Sequence, residues 1–292
     1  MTNTGNVAMG YNATISYMPE TVYGVMDATP TWIEIGRVTS ADLSIGSEHV
    51  PIHGLDAQER ICAPQGNESY EISLEFLIND VAWTFIDRIV DGETFTFRIE
   101  NLQGATPNYA YVLGCVIDEI TVSGSVGEPW SASATVKCRQ IDNDAFSLAI
   151  ESGETEYVRS ADCPKMSHGG VLSAGATWTT EPSSDHNEVT DAEFTISLGH
   201  ADNYVLNDNL VEGFYEGNRE YSFSFTANFD DLTHMIRILD DESGELNLEI
   251  VDAGLAIQFA DCVYDEVALP MAEGEMIACD ISGTAGTMTF NP

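Results

Sequence analysis

The residues with the strongest claim to chemistry are two carboxylate pairs, Asp118-Glu119 and Asp265-Glu266. Each closes an apolar run that opens on a cysteine, CVIDEI from Cys115 and CVYDEV from Cys262. Adjacent carboxylates can hold a cation, but one pair supplies far fewer oxygens than the roughly six or more that calcium needs. The pattern reads first as a strand running out into solvent, with a cation site as the alternative. The six histidines, His49, His53, His168, His186, His200 and His234, are scattered, and no two stand at metal-ligand spacing beside a glutamate. There is no GxSxG elbow and no GxxxxGK[ST] phosphate loop. Asp142-Asn-Asp144 and Asp240-Asp-Glu-Ser-Gly lack the ligand series and closing glutamate of a calcium loop. Cys62, Cys115, Cys138, Cys163, Cys262 and Cys279 form no CxxC or CxxH pair, which argues against zinc. Cys115 and Cys262 read as small buried hydrophobes. Asn12-Ala-Thr14 and Asn67-Glu-Ser69 match the glycosylation triplet, which is common by chance. No catalytic residue, metal or cofactor is assigned.

The elements that carry these residues are strands. From Asn67 to Ile78 the chain reads NESYEISLEFLI, with Tyr70, Ile72, Leu74, Phe76 and Ile78 on one side and Glu71, Ser73 and Glu75 on the other. A period of two separates core from solvent only in an extended chain, so this is a half-buried strand. The pattern returns 151 positions on, from Asn218 to Phe229 as NREYSFSFTANF, with Tyr221, Phe223, Phe225, Ala227 and Phe229 inward. At the same offset Ala41-Asp-Leu-Ser-Ile faces Ala192-Glu-Phe-Thr-Ile, Gly66 faces Gly217, and Phe95, Phe97 and Ile99 face Leu246, Leu248 and Ile250. Past the loop Asn101 to Asn108 the offset is 147, which aligns the two cysteine-to-glutamate runs and places a four-residue deletion in a surface loop. The expectation is a duplicated all-β chain with one short helix per domain. Its two tandem β-sandwich or barrel domains cover residues 1–141, with an N-terminal arm, and 142–292.

Charge restricts the partners. The 292 residues include 48 acids against 10 Lys plus Arg, a net charge of −38, and only Lys137 and Lys165 are lysines. The acids are interleaved with aromatics through both halves, unlike a disordered acidic tail. Molar salt, which shortens the Debye length to about 3 Å, tolerates such a surface, and so does contact with a polyanion that must not stick. Binding DNA on the outer surface is disfavoured, since no basic stripe exists to release counterions. With no signal peptide or membrane-spanning run, synthesis and folding in the cytoplasm, away from any membrane, are expected.

Along the chain, residues 1–12 read as a loose arm, and Ala13 to Tyr17 as a first strand. TWIEIGRVTSADLSIGSE, from Thr31 to Glu48, offers Trp32, Ile33, Ile35, Val38, Leu43 and Ile45 to the core. Glu48 to Gln65 is then irregular, and a loop of that length in a small domain usually serves a contact. Asn79 to Val90 carries a helical stripe of Val81, Phe85, Ile86, Ile89 and Val90, repeated from Asp231 to Leu239 by Leu232, Met235, Ile236 and Leu239. Asp142 to Asp144 marks the boundary, Phe146 to Ile150 starts the second copy, and Cys163 to Thr190 is an embellishment.

In this order, TWIEIGRVTSADLSIGSE, a long irregular loop, APQGNESYEISLEFL and a helix, residues 11 to 140 resemble the major tail tube proteins of siphovirus-like tailed phages and archaeal viruses. The second half joins through the repeat. The resemblance implies a structural virion protein of the tail, assembled in the host cytoplasm, whose sheets join those of its neighbours into rings that stack as a hollow tube for genome delivery. It implies that the early loop bridges rings, here Glu48, Val50, Pro51, His53, Leu55, Asp56, Glu59 and Arg60, together with residues 1–12. The loop of the second copy, Val205 to Glu216, is more acidic and has no proline, which points to a different contact. Expected partners are the chain itself, in homotrimeric rings because one chain supplies two of six domains, and other tail proteins such as the tape measure, terminator and baseplate. Viral DNA passes through the lumen without specific binding, and Asp118, Glu119, Asp265 and Glu266 are candidates for its lining or rim. The alternative is a secreted or surface β-sandwich binding or adhesin module of a halophile, which needs an export route and aromatics at loop tips. A glycan-cleaving virion enzyme needs converging carboxylates that no motif supports.

Overall fold

Strict alternation produces long antiparallel strands, and these make up most of the computed structural model. It describes residues 13–27, 29–49, 52–53, 60–62, 65–78, 80–90, 92–103, 106–125, 128–142, 174–178, 181–186, 189–205, 210–228, 233–239, 243–250, 255–270 and 278–291. The first series of elements is β1 (Ala13–Pro19), β2 (Ile33–Glu34), β3 (Arg37–His49), β4 (Ile52–His53), β5 (Arg60–Cys62), β6 (Gln65–Leu77), α1 (Asp80–Val90), β7 (Phe95–Gln103), β8 (Thr106–Ser125), β9 (Ser131–Cys138) and β10 (Gln140–Asp142). The second is β11 (Ala174–Trp178), β12 (Glu181–His186), β13 (Val189–Ser197), β14 (Ala201–Tyr204), β15 (Val211–Tyr215), β16 (Glu220–Asn228), α2 (Thr233–Leu239), β17 (Gly244–Ile250), β18 (Leu255–Ala268), β19 (Ala278–Ala285) and β20 (Thr287–Asn291). The fold is all-β. The arm of residues 1–12, and the segment 143–173 with the expected boundary and the Phe146 to Ile150 strand, lie outside the described residues.

Eight strands lie side by side in the order β3, β6, β9, β8, β13, β16, β19, β18, four from each series. A flanking sheet of β2, β1, β7, β10 and the first half of β8 covers one side of the first four. The strands β12, β11, β17, β20 and the first half of β18 make the corresponding sheet of the second series. The core of the first series fills the space between its layers, with Tyr17, Phe76, Phe95, Phe97 and Trp130 all at most 1% exposed, and α1 adds Phe85, Ile86 and Ile89 to it. Full burial of a side chain of this size contributes about 1.5–3 kcal/mol. Gly124 on β8 lies under the Trp130 indole, where a Cβ would stand 2.4 Å from the ring.

The two series share their registers. Leu43 opposes Ile72 as Phe194 opposes Phe223, and Glu71 opposes Lys137 as Ser222 opposes Thr284. β8 and β18 each change sheets at one left-handed residue, Gly114 (φ 62°) and Asp261 (φ 55°). Equivalent backbone bonds follow, Arg139 N–H to Leu113 O and Gly286 N–H to Ala260 O.

Several expectations change. Ile45, assigned to the core, is 62% exposed because β3 is an edge strand with no neighbour beyond it among the described residues. Ile236 and Leu239, assigned to a buried stripe, are largely exposed on the seven-residue α2. Leu246 pairs with Phe259 as Phe97 pairs with Val112, so Phe97 matches Leu246 and the offset is already shorter by two before β17. The four-residue deletion is therefore divided between the stretch joining β16 to β17 and the β17–β18 turn. The described parts of Cys163 to Thr190 include the hairpin β11–β12, which takes the place of β1 and β2. Two residues separate its strands, where thirteen separate β1 from β2.

Candidate functional site

The repeated Asp-Glu pair falls on a β-bulge in both series. Against β9 the register of β8 shifts between Ile117 and Glu119, and against β19 that of β18 shifts between Tyr264 and Glu266. The extra residue is Asp118 in one and Asp265 in the other, and a bulge re-aims a side chain that the pleat would otherwise fix. Asp118 is thereby turned to the end of β13, where the two halves of the eight-stranded sheet meet. Its carbonyl accepts the Leu198 N–H at 2.8 Å, and its Oδ1 accepts the His200 N–H at 2.7 Å. Lys137 Nζ stands 3.0 Å from Asp118 Oδ2 and also donates to the His200 carbonyl. Both side chains of this ion pair keep about a quarter of their surface in water, at 28% and 24%. His200 Nδ1 lies 3.9 Å from Asp118 Oδ1 with no hydrogen-bond partner. Burial is the larger influence on its imidazole and lowers its pKa below the ordinary value, while the Asp118 charge opposes that shift.

Strand pairing carries the rest of the joint. β8 and β13 pair from Glu119 opposite Ser197 to Ser125 opposite Asp191, with Ile196 opposite Ile120 and Phe194 opposite Val122 on the core side. On the other face Thr121 and Thr195 share a hydroxyl hydrogen bond of 2.9 Å. The hairpin β14–β15 then crosses onto the first series, where the Tyr204 hydroxyl donates to the Glu68 carbonyl at 3.0 Å and Phe214 meets Tyr23 edge-on at 6.3 Å.

The opposite ends of the sheet repeat these parts without a partner among the described residues. Ile45 on β3 corresponds to Ile196 and Val263 on β18 to Val116; the first of each pair is 62% and 37% exposed, the second 0% and 6%. Asp265 and Glu266 are exposed. Thr284 stands where the first series has Lys137.

Of the expected contact residues, Glu48 is exposed at the end of β3, while His53 lies on β4 and Arg60 on β5. Val50, Pro51, Leu55, Asp56 and Glu59 lie outside the described residues. Asp118 is partly buried at the joint and Glu119 beside it is exposed. The sequence reading passed over Lys137, His200 and Tyr204. The available signal was Lys137 itself, one of two lysines and placed on the solvent side of a strand in so acidic a chain.

The face of the eight-stranded sheet turned from the core is built mostly of carboxylates, serines and threonines, with Lys137 opposite Glu71. Glu71, Glu75, Glu193, Glu220 and Asp280 are exposed on it, separated by Ser73, Ser133 and Ser222. A shallow trough of about 450 Å³ runs over Ser123, Glu193, Thr226 and Asp280. Among the described residues no group of three or more His, Cys, Asp or Glu is placed to hold a metal ion, and no helix is long and apolar enough to cross a membrane. Cys115 and Cys262 are buried and in no disulfide, the Cys115 thiol lies 3.0 Å from that of Cys138, and burial pushes the Cys115 thiol well above its usual pKa.

Comparison with known proteins agrees with the sequence resemblance. A family model described as phage tail tube protein matches residues 10–285. No curated protein matches the chain. Among solved structures, the SPP1 tail tube determined by solid-state NMR and cryo-EM is 12% identical, over 52% of this chain and 91% of that one, with a TM-score of 0.39. The tail of an empty gene transfer agent particle, refined with helical C6 symmetry, is 16% identical over 47% of this chain and 98% of that one, with a TM-score of 0.35. The native gene transfer agent virion gives the same identity and coverage at 0.34. The family model spans nearly the whole sequence, from the first described strand to the end of β19, and on that match the chain belongs to the phage tail tube protein family.

Proposed function

We propose that this chain is the repeating subunit of a virion tail tube, in which one duplicated polypeptide supplies two adjoining wall segments. The observation that carries this reading is the sheet of eight adjacent strands, ending at β3 on one side and β18 on the other. An edge strand presents unpaired N–H and C=O groups, and burying them against another chain removes that liability. Three chains joined edge to edge make a ring of about 24 strands, roughly 40–50 Å across at the backbone for ordinary strand spacing and tilt. Stacked rings enclose a lumen faced by the carboxylate, serine and threonine surface, past which DNA slides without adhering because like charges repel. The net charge and the scarcity of lysine support a siphovirus-like tailed virus of a haloarchaeal host, with the tape measure, terminator and baseplate as further partners. Residues 1–12 and the segment Glu48 to Gln65 are the parts that meet neighbouring subunits.

Negative-stain microscopy of the purified chain in molar salt tests this reading. Tubes or rings with an open centre are the expected result. Compact monomers at every salt concentration overturn it and return the binding-module reading.

A further inference from the structure

Two edges of the eight-stranded sheet have no neighbour among the described residues, the outer side of β3 and the outer side of the second half of β18. At the internal joint the corresponding positions are taken by β13 and β8, already paired. Carrying that register over sets Ile45 opposite Val267, Ser44 opposite Ala268 and Leu43 opposite Leu269. Ile45 is exposed and Val267 and Leu269 half-buried, whereas their counterparts at the internal joint, Ile196, Ile120, Phe194 and Val122, are all at most 1% exposed. The bulge that aims Asp118 at the His200 N–H is already formed at Asp265, and the matching backbone N–H is that of His49.

Pro270 is compatible with this pairing. It stands where the first series has Ser123, opposite Glu193. The Leu198 N–H to Asp118 O bond sets the alternation along β13, and in it Ser123 falls in a non-hydrogen-bonded pair. A proline there withholds no donor from the neighbouring strand. One part is missing from the external joint, since Thr284 replaces Lys137 and Asp265 would meet the next chain with no lysine beside it among the described residues.

We infer that β3 of one chain pairs antiparallel with β18 of the next in this register, with Asp265 accepting the His49 N–H, and that this joint is the salt-dependent one because it lacks the lysine bracing its internal twin. The inference rests on the reading of the chain as a ring-forming subunit. The joint is heterologous, and it closes into a ring because the rotation returns to its start.

Cysteine pairing reads the register directly. Ser44→Cys with Ala268→Cys puts two thiols in a non-hydrogen-bonded pair, where side chains of adjacent strands approach most closely. Oxidation of assembled tubes is expected to give a ladder of linked chains, absent from either single variant and from Ser44→Cys with Glu266→Cys, two residues out of register. Tubes that link only through the out-of-register pair, or through neither, overturn the register and leave the ring reading standing. An unmodified chain that never assembles overturns the ring reading itself. Ile45→Asp, at an exposed position, should melt like the parent and form no tubes; tubes from this variant also contradict the joint. Thr284→Lys restores the missing cation and is expected to lower the salt midpoint of assembly by about twofold or more, as screening becomes less necessary. An unchanged midpoint removes the lysine from the explanation.

Discussion

Gly114 and Asp261 hold the same left-handed backbone turn, at φ 62° and 55°, each where one long strand leaves its flanking sheet for the eight-stranded one. The turn lets a single strand serve both layers, so the two layers of each series are tied by backbone as well as by the core. Only glycine takes this conformation without steric cost, and aspartate is among the side chains that tolerate it best.

The two positions therefore respond in opposite directions. Gly114→Ala adds a Cβ 2.8 Å from the Arg139 side chain and 3.1 Å from the Tyr23 ring. It should cost at least about 1–2 kcal/mol, the ordinary penalty for a left-handed L-residue. Asp261→Gly should gain a few tenths to about 1 kcal/mol, because the turn is kept and the strain is lost. Urea unfolding of the two variants checks the pair, and equal losses would contradict a shared turn.

The brace at the internal joint predicts a loss on removal of its cation. Lys137→Met leaves Asp118 with backbone donors only and should cost about 1–2 kcal/mol. That is less than for a fully buried pair, because both groups keep contact with water. Calorimetric melting of the unassembled chain reads this, and a loss within error would make the lysine ornamental.

His200 gives the joint a pH dependence of known sign. Burial lowers its folded pKa below the ordinary value of 6.5, so between the two values the unfolded chain binds the proton more readily. The stabilising effect of keeping this imidazole neutral is complete above about pH 6.5. It is lost as the pH falls from there through the folded value. His200→Gln keeps the backbone donor to Asp118 and should lose less melting temperature than the parent between about pH 8 and pH 5.5. Parallel curves would place the imidazole outside this linkage.

Much of this architecture was legible in the chain because two signals coincide. Period-two alternation marks β6 and β16, and a fixed offset marks the elements around them, including the Asp-Glu pair. What the pattern does not reveal is the direction in which an irregular residue points. Asp118 reads as a strand end, yet the bulge turns it onto His200, because one extra residue in β8 displaces it from the pleat. Ile45 reads as core because alternation marks a face and carries no information on whether the next strand is present. The segment Glu48 to Gln65 stands out by its length, which is the ground for proposing it as a contact, but length carries no direction. Its counterpart β14–β15 lies sideways along the sheet, with Tyr204 bonded to Glu68, which favours a neighbour within the ring over one above it.

The charge of −38 should make the fold itself depend on salt. Screening of carboxylate repulsion predicts a melting temperature that climbs between about 0.1 M and 2 M NaCl or KCl, the range over which the Debye length falls most of its way. A flat or falling profile would remove the haloarchaeal reading while leaving the tube reading in place.

Stoichiometry of the ring tests the central claim most directly. If each chain of 31.7 kDa supplies eight of the strands of a closed wall, native mass spectrometry in volatile salt at high ionic strength should find trimers of chains and their multiples. Averaged tube images should show true threefold and only approximate sixfold symmetry. A dominant ring of six chains, or true sixfold symmetry, would contradict the account.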